Sequence, residues 1–248
     1  MSAPAPAARA TLAMTAMELR LTARRGENLL VTIVIPAAVL LFFASVAVLP
    51  LPGPAVDFLL PGALALAVIA TSLVNLGIAT GYERHYGVLK RRGGSPLTRS
   101  QLIAAKIAAV LAVEVAQAGL LFAIAIGLLG WRLPAGAPLA VVAPALLLGT
   151  LAFAGLGLAM AGSLRAEATL ALANGLFLAF LLLGGIVLPI DHLPAPLAAV
   201  AAVLPVSALA DLFRVALGSG GDAVRATAIL AVWAVGSVAL AARTFRWE

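Results

Sequence analysis

Tyr82–Lys106, YERHYGVLKRRGGSPLTRSQLIAAK, is the longest polar passage in an otherwise apolar chain. It carries six basic residues, Arg84, Lys90, Arg91, Arg92, Arg99 and Lys106, against one acid, Glu83. Long apolar runs flank it on both sides, so it reads as a basic elbow at a membrane surface. The helix-compatible residues 82–92 predict one short helix along that surface. Gly93-Gly94-Ser95-Pro96 then stops it, and Ser100 is placed to cap the helix that follows.

The totals agree with a membrane setting. Of 248 residues, 63% are hydrophobic and 10% charged, with mean hydropathy +1.13; a soluble domain has about 25% charged residues. The net charge of +6 is explained by orientation in a bilayer, because the basic residues border apolar runs; nucleic acid is not implied. There is no cysteine, which excludes disulfides and thiolate chemistry. The first apolar run begins near Leu29, too far in for a typical signal peptide.

Working outward from the elbow, the pattern predicts an all-α membrane protein with six transmembrane helices. The division is residues 1–27 as a tail with an amphipathic interfacial helix, and 28–248 as the transmembrane domain. The spans are expected at about 28–49, 58–80, 103–129, 138–161, 169–188 and 224–242. Residues 189–221 fit neither a span nor a polar loop. Pro189, Pro194, Pro196 and Pro205 cut them into short pieces, which predicts re-entrant or interfacial helices between the fifth and sixth spans. Asp211 and Arg214 share one face of the second piece. Gly155 and Ala159 give the fourth span a close-packing face.

An even number of spans puts both termini and the elbow on one side. That side holds thirteen of the sixteen Lys and Arg residues, so it is expected to be cytoplasmic. Asp57, Asp191, Asp211 and Asp222 fall on the other side.

No phosphate-cradling GxxxxGK[ST] loop, HExxH or GxSxG is present. His85 and His192 fall on opposite sides and cannot share a metal or form a dyad. Catalytic residues, a metal site and a cofactor within this chain are therefore not expected. Glu114 lies deep in the third span with Gln117 on the same face. A charge there costs about 2.5 kcal/mol or more. Two uses are open to it: lining a substrate path, or fixing helix packing. Asn75 and Asn174 are the other mid-span polar residues, suited to helix–helix hydrogen bonds or to the same path. On charge alone the elbow is a topology anchor.

The order of its residues adds more. Glu83-Arg84, Gly87, Leu89-Lys90, Pro96-Leu97-Thr98-Arg99 and Lys106 resemble the loop after the second span in ABC-2-type exporter permeases, the membrane subunits of ABC transporters. His85 and Val88 stand where that family usually has a second acid and often a Thr. Gly184-Gly185, Pro189, Leu193-Pro194, Pro205 and Asp211 with Arg214 resemble the same family after the fifth span.

The resemblance implies a permease subunit of an ATP-driven exporter for a drug-like amphiphile, lipid or antibiotic, in the plasma (inner) membrane. A separate ABC ATPase subunit would carry ATP and Mg. A second permease chain, identical or different, would complete the path. Glu83, Arg84, Tyr86, Gly87, Leu89, Lys90, Pro96, Leu97 and Arg99 would then couple to the ATPase. The competing classes are a structural or assembly membrane protein, in which the elbow only anchors, and an intramembrane lipid-modifying enzyme, whose clustered acids or histidines are missing.

Overall fold

The computed structural model describes residues 6–24, 26–46, 53–93 and 98–244. Among them every regular element is helical. In chain order these are α1 (Ala7–Arg24), α2 (Gly26–Ser45), α3 (Ala55–Val68), a π-helical segment (Ile69–Asn75), α4 (Leu76–His85), α5 (Val88–Gly93) and α6 (Arg99–Gly127). Then come α7 (Val142–Ser163), α8 (Ala166–Leu183), α9 (Ala195–Ala201), α10 (Pro205–Ala216) and α11 (Ala223–Thr244). Short 3-10 turns precede α7 and α9.

Among the described residues, five helical stretches are long and apolar enough to cross a membrane: Ala55–His85, Arg99–Gly127, Leu139–Ser163, Ala166–Leu183 and Ala223–Thr244. α2 occupies the place of the expected first span, with Thr32–Ser45 a shorter apolar helix within it; positions 47–49 of that span lie outside the described residues.

The rod formed by α3, the π segment and α4 is the centre. Its apolar window is 89% buried, against 22–39% for the other four spans. α2, α6, α7, α8 and α10 pack around it, α11 lies along α7, and α1 lies along α6. The π segment widens the rod at mid-depth, and α7 fits against its carbonyls through Gly157. A Cβ there would sit 2.9 Å from the Leu73 oxygen, so only glycine permits this approach. The small residues of the fourth span thus serve packing within the chain; Gly155 likewise meets Ser237 of α11.

Several expected boundaries shift. The second span runs past Thr80 to His85, and the single helix expected over 82–92 is broken. Gly87 adopts φ +68, a left-handed conformation open to glycine without steric cost, and so separates α4 from α5. The cap of α6 is Thr98, not Ser100: Gln101 N donates to Thr98 Oγ1 at 3.2 Å and Thr98 N donates to Gln101 Oε1 at 2.9 Å. This reciprocal capping box satisfies two orphan donors where a lone Ser100 would satisfy one.

α8 stops at Leu183, short of 188, at Gly184-Gly185. α9 and α10 then meet at 73°, with Pro205 in the first turn of α10, where its missing N–H is harmless. α10 packs into the bundle. Val206, Leu209 and Phe213 are buried in the core, because its apolar face docks between α3, α7 and α11.

Candidate functional site

The elbow rests on a buried ion triad. Lys106 Nζ, about two turns into α6, donates to Glu83 Oε2 of α4 at 2.8 Å and to Glu18 Oε2 of α1 at 3.3 Å. Their relative exposures are 2%, 4% and 7%. Three elements far apart in sequence thus share one charge centre. Glu83 is sequestered inside it, so it mounts the elbow and is not presented on the surface. A cavity of about 40 Å³ beside the triad is lined in part by Thr22, Thr71 and Asn75.

Leu89 supplies the apolar half of the mount. It is fully buried in a cluster with Met14 of α1, Leu76 of α4, and Leu102 and Ala105 of α6. α1 therefore docks on α6 through Met14 and Glu18, one turn apart, while Leu12 and Met17 stay exposed. Arg84 points the other way. Its guanidinium donates to the Gly162 and Leu164 carbonyls at the end of α7, where a cation also complements the helix dipole.

What remains outward on the elbow is Tyr86, Lys90 and Arg91, with Arg99 at the start of α6. Tyr86 is 66% exposed, stacks on Tyr82 with ring centroids 6.1 Å apart, and meets His85 edge-on. The candidate residues thus separate into a mount (Glu83, Arg84, Leu89), a turn (Gly87) and an exposed face (Tyr86, Lys90, Arg99). Pro96 and Leu97 lie outside the described residues.

The four mid-span polar candidates are not brought together. Glu114 accepts a hydrogen bond from Thr150 Oγ1 of α7, with Ser72 of the π segment beside it. Gln117 accepts from Thr71 Oγ1 at 2.8 Å and donates to the Thr32 carbonyl of α2 at 3.2 Å. Though on one face of α6, Glu114 and Gln117 turn to different partners. Both are buried and tie α6 to its neighbours. Asn75 joins the small cavity at the triad. Asn174, midway along α8, faces outward and donates to Leu170 O at 3.0 Å.

Sequence reasoning placed Lys106 in the family pattern without a partner, and Glu18 not at all. A charge near the start of an apolar span was the available signal for Lys106. Nothing local marked Glu18.

Both adjoining cavities at the far end of the central rod involve Arg214. Their volumes are about 610 and 390 Å³, and they share Phe58, Pro189, Asp191 and Arg214. Arg214 Nη1 donates to Asp211 at 2.7 Å, and the guanidinium lies 4.4 Å from the Phe58 ring centroid. Asp57, Asp191, Asp211 and Asp222 all line these cavities. Among the described residues no group of acids and histidines could hold a metal ion.

A family model described as ABC-2 type transporter matches residues 9–217. That range takes in α1, the elbow and the bent α9–α10 pair. No curated protein matches the chain.

Proposed function

The chain belongs to the ABC-2 type transporter family, and from that premise we propose how this multi-pass membrane component of an ABC transporter works. It is the permease half of an exporter, driven by a separate ABC ATPase that seats against the elbow. The termini and elbow are cytoplasmic, and the membrane is the plasma (inner) membrane. ATP and Mg belong to the ATPase subunit.

One observation carries the reading: the Glu18–Lys106–Glu83 triad ties α1, α4 and α6 into one unit directly behind α5. A push on Tyr86, Lys90 or Arg91 reaches the central rod through α4 without slack. Two carboxylates and one ammonium buried together resist separation, because each would be left uncompensated. A drive of this kind needs contacts that differ between two states of the path, and a rigid mount delivers them.

A second permease chain completes the path. Asn174 supports this: a polar side chain at mid-span on an exposed face is poorly placed against lipid and well placed against a partner chain or a wet path. The cargo is an amphiphile, a lipid or a drug-like molecule, matching apolar faces with few polar contacts.

The test is co-purification of the chain with its ATPase. Tyr86→Ala with Lys90→Glu should abolish complex formation and leave the permease folded, with a cooperative melting transition in detergent. Retention of the ATPase at the wild-type level would show that the elbow is not its seat.

A further inference from the structure

Behind the elbow, a groove of about 800 Å³ opens where four helices end together. It is lined by His85, the last residue of α4, by Ser163, the last of α7, by Arg165 and Glu167 at the start of α8, and by Arg243 near the end of α11. Arg84 forms its floor, held by the Gly162 and Leu164 carbonyls. Three guanidinium groups thus face one carboxylate. Arg165, Arg243 and His85 are exposed.

Exposed apolar side chains follow on two of the helices that line the groove. One turn into α8, Leu170 and Leu172 are exposed, and Val238 and Leu240 are exposed one turn before α11 ends. Charge sits at the level of the span ends, and apolar side chains begin one turn deeper. That is the profile of a phospholipid, with its anionic headgroup in the groove and its acyl chains along α8 and α11. An acidic patch on a soluble protein matches the charge but has no use for the apolar flanks.

We propose that this groove is a binding site for an anionic phospholipid of the leaflet that contacts the elbow. The bound lipid bridges the ends of α4, α7, α8 and α11, and so holds the elbow against the half of the bundle that the ion triad does not reach.

The experiment titrates the full-length protein in detergent with phosphatidylglycerol or phosphatidylcholine, read by native mass spectrometry. Phosphatidylglycerol should bind and phosphatidylcholine should not. Arg165→Gln with Arg243→Gln should weaken phosphatidylglycerol binding about thirtyfold, from about fivefold for each basic residue at an anionic surface. Arg165→Lys with Arg243→Lys should keep it within about threefold. Arg20→Gln with Arg24→Gln removes the same charge from exposed positions on α1 and should leave binding unchanged.

An equal loss in the α1 variant would reduce the effect to diffuse attraction and overturn the site. So would undiminished binding in the Arg165/Arg243 glutamine variant, or competition by inorganic phosphate at the lipid's own concentration. Loss of ATPase co-purification in that variant with phosphatidylglycerol binding intact would make the groove a protein dock instead.

Discussion

The two ends of the central rod handle charge in opposite ways. At the elbow end Glu83 is sealed with Lys106 and Glu18 beside a cavity of about 40 Å³. At the far end Phe58 and Asp57 face cavities of about 610 and 390 Å³, and Arg214 bonds to Asp211, whose side chain is 42% exposed. Trp131 Nε1 donates to Asp57 Oδ1 at 2.9 Å and Ser219 Oγ donates to its carbonyl at 3.0 Å. On its α1–α6 side the elbow end is packed as one unit, and its groove of about 800 Å³ lies on the opposite, α7–α8–α11 side. The other end is open at Asp191, Asp211 and Asp222, while Arg214 itself is largely buried against Phe58 and the Gly185 carbonyl.

The contrast breaks most directly at Lys106. Lys106→Met leaves two carboxylates facing each other in a buried site and should destabilise the protein by about 3–5 kcal/mol, seen as a lowered thermal midpoint in detergent. A loss near zero would mean the triad is not a rigid mount.

Gly157→Leu tests whether the rod must stay in contact with α7 between its two ends. The added side chain meets the Leu73 carbonyl and should cost about 1–3 kcal/mol, while Gly175→Ala, where a Cβ meets open space, should not lower the melting temperature. Equal effects would remove the special fit at the π segment.

Arg214→Met is the far-end counterpart of Lys106→Met. Asp211 is half-exposed and stays partly solvated, while the largely buried Arg214 loses its ion pair, its hydrogen bond to the Gly185 carbonyl and its ring contact, about 1–3 kcal/mol in all. A penalty matching that of Lys106 would erase the difference between the ends.

Thr71→Val sharpens the comparison at mid-rod. Removing the Thr71–Gln117 hydrogen bond should cost about 0.5–1.5 kcal/mol, and a double-mutant cycle with Gln117→Leu should recover part of it. Additive losses would show that the pair does not hold α6 to the π segment.

Much of the fold was legible because bilayer physics writes itself into runs of residues. Six apolar stretches, a basic elbow and a proline-cut segment all have local signals, and the helices occupy their places. The Thr98-x-x-Gln101 capping box was also in plain view, and Ser100 was the weaker candidate beside it. The elbow break at Gly87 was harder to read, since a glycine between helix formers signals a left-handed turn only when an apolar residue soon after it, here Leu89 two positions on, has somewhere to bury. The π segment had no legible signal at all. Its wide turn follows from where Gly157, Gln117 and Glu114 lie on other helices.

By itself, then, the sequence determined that this chain is an all-helical membrane protein whose polar elbow interrupts its apolar runs, because hydropathy and charge act residue by residue. Only the tertiary structure decided what the elbow's residues do. Glu83 is joined to partners 23 positions ahead at Lys106, which itself reaches 88 positions back to Glu18, and burial of that kind depends on which helix packs beside which. An acid that looked like a surface contact is the core of the mount, and the exposed face falls to Tyr86 and Lys90.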